Sequence, residues 1–282
     1  MYKKSNNIVR YLKKAVLYLF LFIVAVIMIF PFLWMLDASL KYDREIFATP
    51  FRLLPQSTDS IVYNYTTIWE KIDFLRCYLN TAKLAVVITV LQLVTCSFAA
   101  FSFSRLEYPG RDKLFFIYLA TLMVPWHAIM IPQFIIIKQI GLYNSHGSLI
   151  LTQAFSAFGV FLLRQGMMSI PKEMDDSAKI DGCNPPRMYW NIILPLAKPG
   201  LATLTIFTFK GVWNDYMAPM LYLEDKILYT IQLGLKSFKT QFSMDYGLTM
   251  AATVCSVIPI IIVYIFTQKY MVEGVAHTGL KG

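Results

Sequence analysis

The chain has 282 residues, of which 57% are hydrophobic and only 15% charged, with a mean hydropathy of +0.53; an average soluble domain carries about 25% charged residues. This balance excludes a soluble globular domain and reads as an integral membrane protein. The net charge of +9 does not point to nucleic acid, because the basic residues are scattered between apolar stretches rather than gathered in a stripe. Cys77, Cys96, Cys183 and Cys255 lie far apart with no C-x-x-C spacing, so neither a zinc site nor a disulfide framework is indicated.

Lys3, Lys4, Arg10, Lys13 and Lys14 precede an uncharged run over 15–36. The layout is that of a signal peptide, but such a core is about 7–15 residues long, whereas this run matches the roughly 20 residues that cross a bilayer. It predicts a retained first span behind a cytoplasmic N-terminus at 1–14. The segment 37–78, rich in aromatics and containing Pro50 and Pro55, predicts short helices at the membrane surface. Further spans are predicted over 84–103, 114–137, 143–163, 199–223 and 246–268. The chain therefore reads as one all-α membrane domain, 15–282, with six transmembrane helices and both termini on one side. With the termini inside, 15 of the 26 Lys and Arg residues fall inside and 9 outside, leaving Lys83 and Lys210 within spans. This excess predicts cytoplasmic termini.

Between the fourth and fifth spans lies a polar loop, 170–198, too long for a turn and too short for a domain. Orientation places it in the cytoplasm. Pro171 followed by Glu173, Asp175 and Asp176 suits the positive end of a helix dipole. Met174, Ser177, Ala178 and Ile180 supply small or apolar contacts at spacings of three and four, and Gly182 after Asp181 is a natural terminator. Asn184-Pro185-Pro186 forces a turn. A second helix over 187–193, carrying Met188, Tyr189, Ile192 and Ile193, is expected to stop at Leu194-Pro195, because the residue before proline avoids the helical region. On periodicity alone this pair could equally be an interfacial hairpin that anchors two spans.

The order of residues resembles the EAA loop of ATP-binding-cassette importer permeases, with Asp176-Ser177-Ala178 at the Glu-Ala-Ala positions, Asp181-Gly182-Cys183 at Asp-Gly-Ala, Tyr189 at the aromatic and Leu194-Pro195 at Leu-Pro. Asp for Glu, Ser for Ala and Cys for Ala are the departures. Because the Asp176 side chain is shorter than Glu, Asp175 or Glu173 could supply a carboxylate in its place. The rest of the chain is similar to the carbohydrate-uptake permeases, the maltose-transporter-like second subunit in particular. The similar segments are 78–81, 99–105, 108–110, Val124-Pro125, Ile131-Pro132, 161–165, Trp213-Asn214-Asp215 and 272–282.

The resemblance implies a type I ABC importer permease fold with a cytoplasmic coupling helix, in a multi-pass protein of a bacterial cell membrane. It further implies a second permease subunit, an ATPase dimer and an extracytoplasmic solute-binding protein as partners, besides membrane lipid. Glu173, Asp175, Asp176, Ser177, Ala178, Asp181, Gly182 and Pro195 would then couple to the ATPase. ATP and Mg would sit on the partner subunits, with no cofactor, metal or catalytic residue on this chain, which has no G-x-x-x-x-G-K-[ST] phosphate loop.

Lys210, Trp213, Asn214, Asp215 and Tyr216 are polar or aromatic groups in the fifth span. Hydroxyl-bonding amides and stacking aromatics suit a sugar pathway, while a structural Lys210–Asp215 contact is the plainer alternative. The expected cargo is a carbohydrate, an oligosaccharide in first place and a glycerol-phosphate-type or other polyol in second. A membrane-embedded enzyme fits poorly, since His127, His146 and His277 are dispersed; an ion-driven secondary carrier would show inverted repeats, and none is detectable.

Overall fold

A computed structural model describes residues 2–50, 52–71, 73–236, 238 and 245–279, with side chains described over 10–270 of these. Helix is the only regular structure among the described residues. The chain divides into two compact units, 1–72 with 238–255, and 73–237 with 256–282.

In the first unit, α1 (Tyr2–Ser39) is a long apolar helix whose side chains over 10–36 are largely exposed, as suits an apolar membrane span. It is followed by α2 (Asp43–Ile46) and α3 (Asp59–Lys71), the short helices predicted for the segment after the first span. Lys41 is fully buried, yet its ammonium meets the Asp37 carboxylate at 2.5 Å and the Arg52 carbonyl at 2.5 Å. Asn64 of α3 donates to the carbonyls of Ser39 and Lys41 at 3.0 and 2.9 Å. Asp43 accepts from the Tyr246 and Gly247 amides at 3.0 and 2.8 Å, capping the otherwise unpaired first turn of the final helix.

The second unit is built around α4 (Phe74–Arg105), which begins ten residues before the predicted span and ends two residues after it. The third predicted span is not one helix. It is α5 (Arg111–Ala120), a 3₁₀ turn and α6 (Trp126–Gln139), meeting at 98°. Val124 is extended (φ −89°, ψ 111°) ahead of Pro125, because the proline ring excludes the helical region from the residue before it. The fourth span starts later than expected and also bends, by 41°, between α7 (His146–Gln153) and α8 (Ala157–Met168). Asn144 adopts φ +54°, a left-handed turn that keeps 143–145 out of the helix, and Ser156 caps α8 by accepting from the Gly159 amide at 3.0 Å.

The loop then folds as α9 (Glu173–Ile180), a left-handed Gly182 (φ +75°) and α10 (Pro185–Met188), with Asn184 accepting from the Arg187 amide at 3.0 Å. Contrary to expectation, the second helix does not stop before Pro195. A π-turn over Tyr189–Ile193 runs on into α11 (Leu194–Leu196), and Leu194 is fully helical (φ −62°, ψ −43°). The widened turn accommodates the ring and the missing amide donor of Pro195. After a 75° bend come α12 (Lys198–Trp213), α13 (Met217–Tyr222), α14 (Ile231–Lys236) and α15 (Tyr246–Gly279). The fifth span thus breaks at Asn214, while α15 continues through Pro259 and past the predicted end at 268. Among the described residues, three helices are long and apolar enough to cross a membrane, or up to six if each bent pair forms one span. Of the similar C-terminal segment, 280–282 lie outside the described residues.

Candidate coupling loop and intramembrane groove

The 170–198 loop is divided into a buried and an exposed half. Ala178, Met188, Tyr189, Ile193 and Ala197 join one apolar cluster with Cys96, Ala100 and Phe101 of α4, Phe115 of α5, Val160, Leu163 and Met167 of α8, and Leu204 of α12. Tyr189 is the deepest aromatic of the loop. Its ring stacks on Phe98 at 4.6 Å and meets Phe101 edge-on at 5.3 Å, and its hydroxyl lies 2.7 Å from that of Ser97. Ser97 itself donates to the Val94 carbonyl at 3.1 Å, so Tyr189 is the donor of the pair.

The loop's acidic residues separate in the same way. Asp175 points inward and meets Arg105 at 2.8 Å, with side-chain exposures of only 10% and 3%. Arg105 also donates to the carbonyls of Met167 and, at 2.9 Å, Ile170. Glu173, Asp176 and Asp181 are exposed; Asp176 lies 3.6 Å from Lys179. Ser177, Gly182, Met174 and Ile180 are exposed too, the last at 86%. Pro195 is also exposed. Of the residues singled out for coupling, Asp175 and Ala178 therefore hold the loop to the bundle, and the others face away from it. An inward Asp175 was not legible from the motif, because the spacing alone cannot say which of two adjacent carboxylates finds a buried arginine.

A second feature lies where α4, α8 and α12 meet. A groove of about 280 Å³ has Gln92, Gln153, Ser156 and Thr208 among its polar lining and Phe158 and Phe207 among its apolar lining, with Gly211 beside them. Thr208 donates to the Gln92 carboxamide oxygen at 2.8 Å, Gln92 donates to the Gln153 carbonyl at 2.7 Å, and Gln153 donates to Asp215 at 2.9 Å. Phe158 and Phe207 meet edge-to-face at 5.6 Å. The polar chain satisfies backbone carbonyls freed at the α7–α8 bend; Thr95 adds a bond to the Ala154 carbonyl at 2.8 Å.

The polar residues singled out in the fifth span do not form a single cluster. Trp213 is buried, with 1% exposure; it stacks on Phe209 and gives its indole N–H to the Ser256 carbonyl at 2.8 Å. Asn214 turns back to the Lys210 carbonyl at 3.0 Å. Asp215 receives Gln153 and the Ala218 amide rather than the Lys210 ammonium. Tyr216 lies under Lys236 at 5.6 Å, and a hydrogen bond to Tyr216 raises the Lys236 pKa above the usual lysine value. Lys210 is exposed. Only Asp215 touches the groove's hydrogen-bond chain. Gln92, Gln153 and Thr208 were passed over in the sequence because uncharged polar residues inside apolar runs carry little signal until the fold sets them side by side.

Residues 92–277 match the family described as binding-protein-dependent transport system inner membrane component. The chain belongs to this family. The permease is 29% identical over 260 residues to the arabinooligosaccharides transport system permease protein AraQ of Halalkalibacterium halodurans, covering 92% of this chain and 93% of that protein. It is 31% identical over 281 residues to the polygalacturonan/rhamnogalacturonan transport system permease protein YtcP of Bacillus subtilis, covering 94% and 97%. Among solved structures, it resembles a chain of a bacterial ABC transporter involved in the import of the acidic polysaccharide alginate, with a TM-score of 0.80, 27% identity and coverage of 91% and 95%. The permease is thus a multi-pass inner membrane protein with the type I ABC importer permease fold, a transport component among saccharide-uptake permeases.

Proposed function

We propose that this permease is one half of the membrane channel of an ATP-driven importer that moves a carbohydrate, an oligosaccharide in first place, delivered by an extracytoplasmic binding protein. The observation that carries the reading is the division of the 170–198 loop. A solvated anchor would have no reason to bury one carboxylate on Arg105 while presenting Glu173, Asp176, Ser177 and a bare Ile180. An exposed apolar residue rimmed by polar ones suits a docking surface. In this reading α9 faces the cytoplasm and seats on an ATPase subunit, each bent helix pair forms one of six spans, and both termini are cytoplasmic.

The groove suits the cargo. Side-chain amides and a hydroxyl match the donors and acceptors of sugar hydroxyls, and the Phe158–Phe207 pair offers an apolar wall for a ring face. At about 280 Å³ it lies just under the usual range for small-molecule pockets, roughly 300–1,000 Å³, as expected of a half-site completed by a second permease subunit. The saccharide names of the relatives support the same class.

The test is to purify the tagged chain gently from its native membrane, identify its companions by mass spectrometry and reconstitute the assembly in proteoliposomes. Recovery of an ATPase, a second permease and a solute-binding protein, with saccharide uptake that requires internal ATP, is expected. Transport by this chain alone without ATP would overturn the proposal and favour a self-sufficient carrier.

A further inference from the structure

Ser97, Phe101 and Arg105 recur at i, i+4 and i+8, so they share one face of α4. That face receives both parts of the loop. Ser97 and Phe101 hold Tyr189 of the second helix, and Arg105 holds Asp175 of α9. Arg105 makes a further connection, because its other terminal nitrogen binds the Met167 and Ile170 carbonyls at the end of α8, where a cation is favoured by unpaired carbonyls. One guanidinium thereby ties α9, α8 and α4 together. A planar fork presents one terminal nitrogen to Asp175 and the other to the two α8 carbonyls.

Near the middle of α4 lies Gln92, whose side chain binds the Gln153 carbonyl and the Thr208 hydroxyl in the groove. Gln92 and Arg105 are thirteen positions apart, roughly 20 Å of straight helix at 1.5 Å per residue. A neighbouring arginine provides an internal contrast. Arg164 of α8 also clasps α4, donating to the Phe103 carbonyl at 3.1 Å and lying 4.0 Å over the Phe115 ring, but its salt-bridge partner is Asp112, and none of these three lies in the 170–198 loop.

We propose that Arg105 is the positioning residue that makes the groove follow the loop: it locks α9 to α4 and α8 so that a displacement of α9 arrives at Gln92 as movement of the whole helix pair. The inference rests on the coupling role proposed above. Arg164 holds the same two helices without gripping the loop, so it stabilises the bundle and transmits nothing from α9.

The test uses the intact complex purified with its partner subunits. Gly211→Cys places a thiol in the groove, and its labelling by N-ethylmaleimide is read by peptide mass spectrometry, nucleotide-free and after trapping with MgATP and vanadate. In the otherwise native complex the trap should change the labelling rate by about fivefold or more, the low end of common coupling factors. Arg105→Gln and Asp175→Asn should each abolish that change while ATP hydrolysis persists, and their combination should add nothing further. Arg164→Gln should retain it. Should Arg105→Gln not assemble, Arg105→Lys decides the question, since a compact ammonium lacks the two separate terminal nitrogens that reach Asp175 and the α8 carbonyls; a diminished response supports the proposal and an undiminished one overturns it. A full response in Arg105→Gln, or equal loss in Arg164→Gln, also overturns it. A native complex in which the trap changes nothing would instead refute the underlying coupling role.

Discussion

The Tyr189–Ser97 contact allows a prediction whose asymmetry comes directly from the geometry. Both residues are buried, and the bond is 2.7 Å long, with Ser97 also donating to the Val94 carbonyl. In Tyr189→Phe, Ser97 keeps its own donor satisfied and loses only an incoming proton. The cost should be that of an ordinary hydrogen bond, about 0.5–1.5 kcal/mol. Ser97→Ala instead strands a phenolic donor between Phe98, Phe101 and Trp190, and orphaning a buried donor costs about 1–3 kcal/mol. Ser97→Ala should therefore be the more damaging change although it removes the smaller group. In the double variant both partners are gone, so its cost should fall short of the sum of the singles by about 1 kcal/mol. The assay is unfolding of the purified chain in mixed micelles by sodium dodecyl sulfate titration, followed by circular dichroism. Additive costs, or a larger loss in Tyr189→Phe, would refute the assignment of donor and acceptor and with it the claim that Tyr189 pins the loop to α4.

Three further outcomes follow from individual positions. At Gly182 a Cβ would meet nothing within 4 Å, so the penalty of Gly182→Ala comes from its φ of +75° alone, about 1–2 kcal/mol; Gly182→Asn should be milder, and comparing the unfolding midpoints of the two variants checks this. A Cβ at Gly159 would approach Cys96 Sγ at 2.9 Å and Leu204 at 3.0 Å, so Gly159→Val should cost about 1–3 kcal/mol by overpacking, with partial recovery when Leu204→Ala is added; unfolding titrations of both variants measure it. Ile180→Asp alters a residue 86% exposed and should change the stability of the isolated chain by no more than about 0.5 kcal/mol, yet greatly reduce recovery of the ATPase in co-purification. Undiminished recovery would mean that this face of α9 is not the docking surface.

The sequence by itself determined the membrane class, the helical architecture and the position and two-helix form of the 170–198 loop. These follow from properties that are local in the chain: run length of apolar residues, acidic first turns, glycine and proline at the ends. The order of small and acidic residues in the loop pointed to the family to which the chain belongs. What only the tertiary structure decided depends on neighbours distant in sequence. The third and fourth spans break because Val124-Pro125 and the Ala154–Ser156 segment forgo helical bonds, which is tolerable only where other groups answer the freed carbonyls, as Thr95 does for Ala154. Helix continues through Leu194-Pro195 because a π-turn, selected by packing of Tyr189 and Ile193, makes room for the proline. Asp175 rather than Asp176 turns inward because Arg105, seventy positions earlier in the chain, stands beneath it. Local rules give two adjacent carboxylates the same prospects, and only the buried guanidinium makes them different.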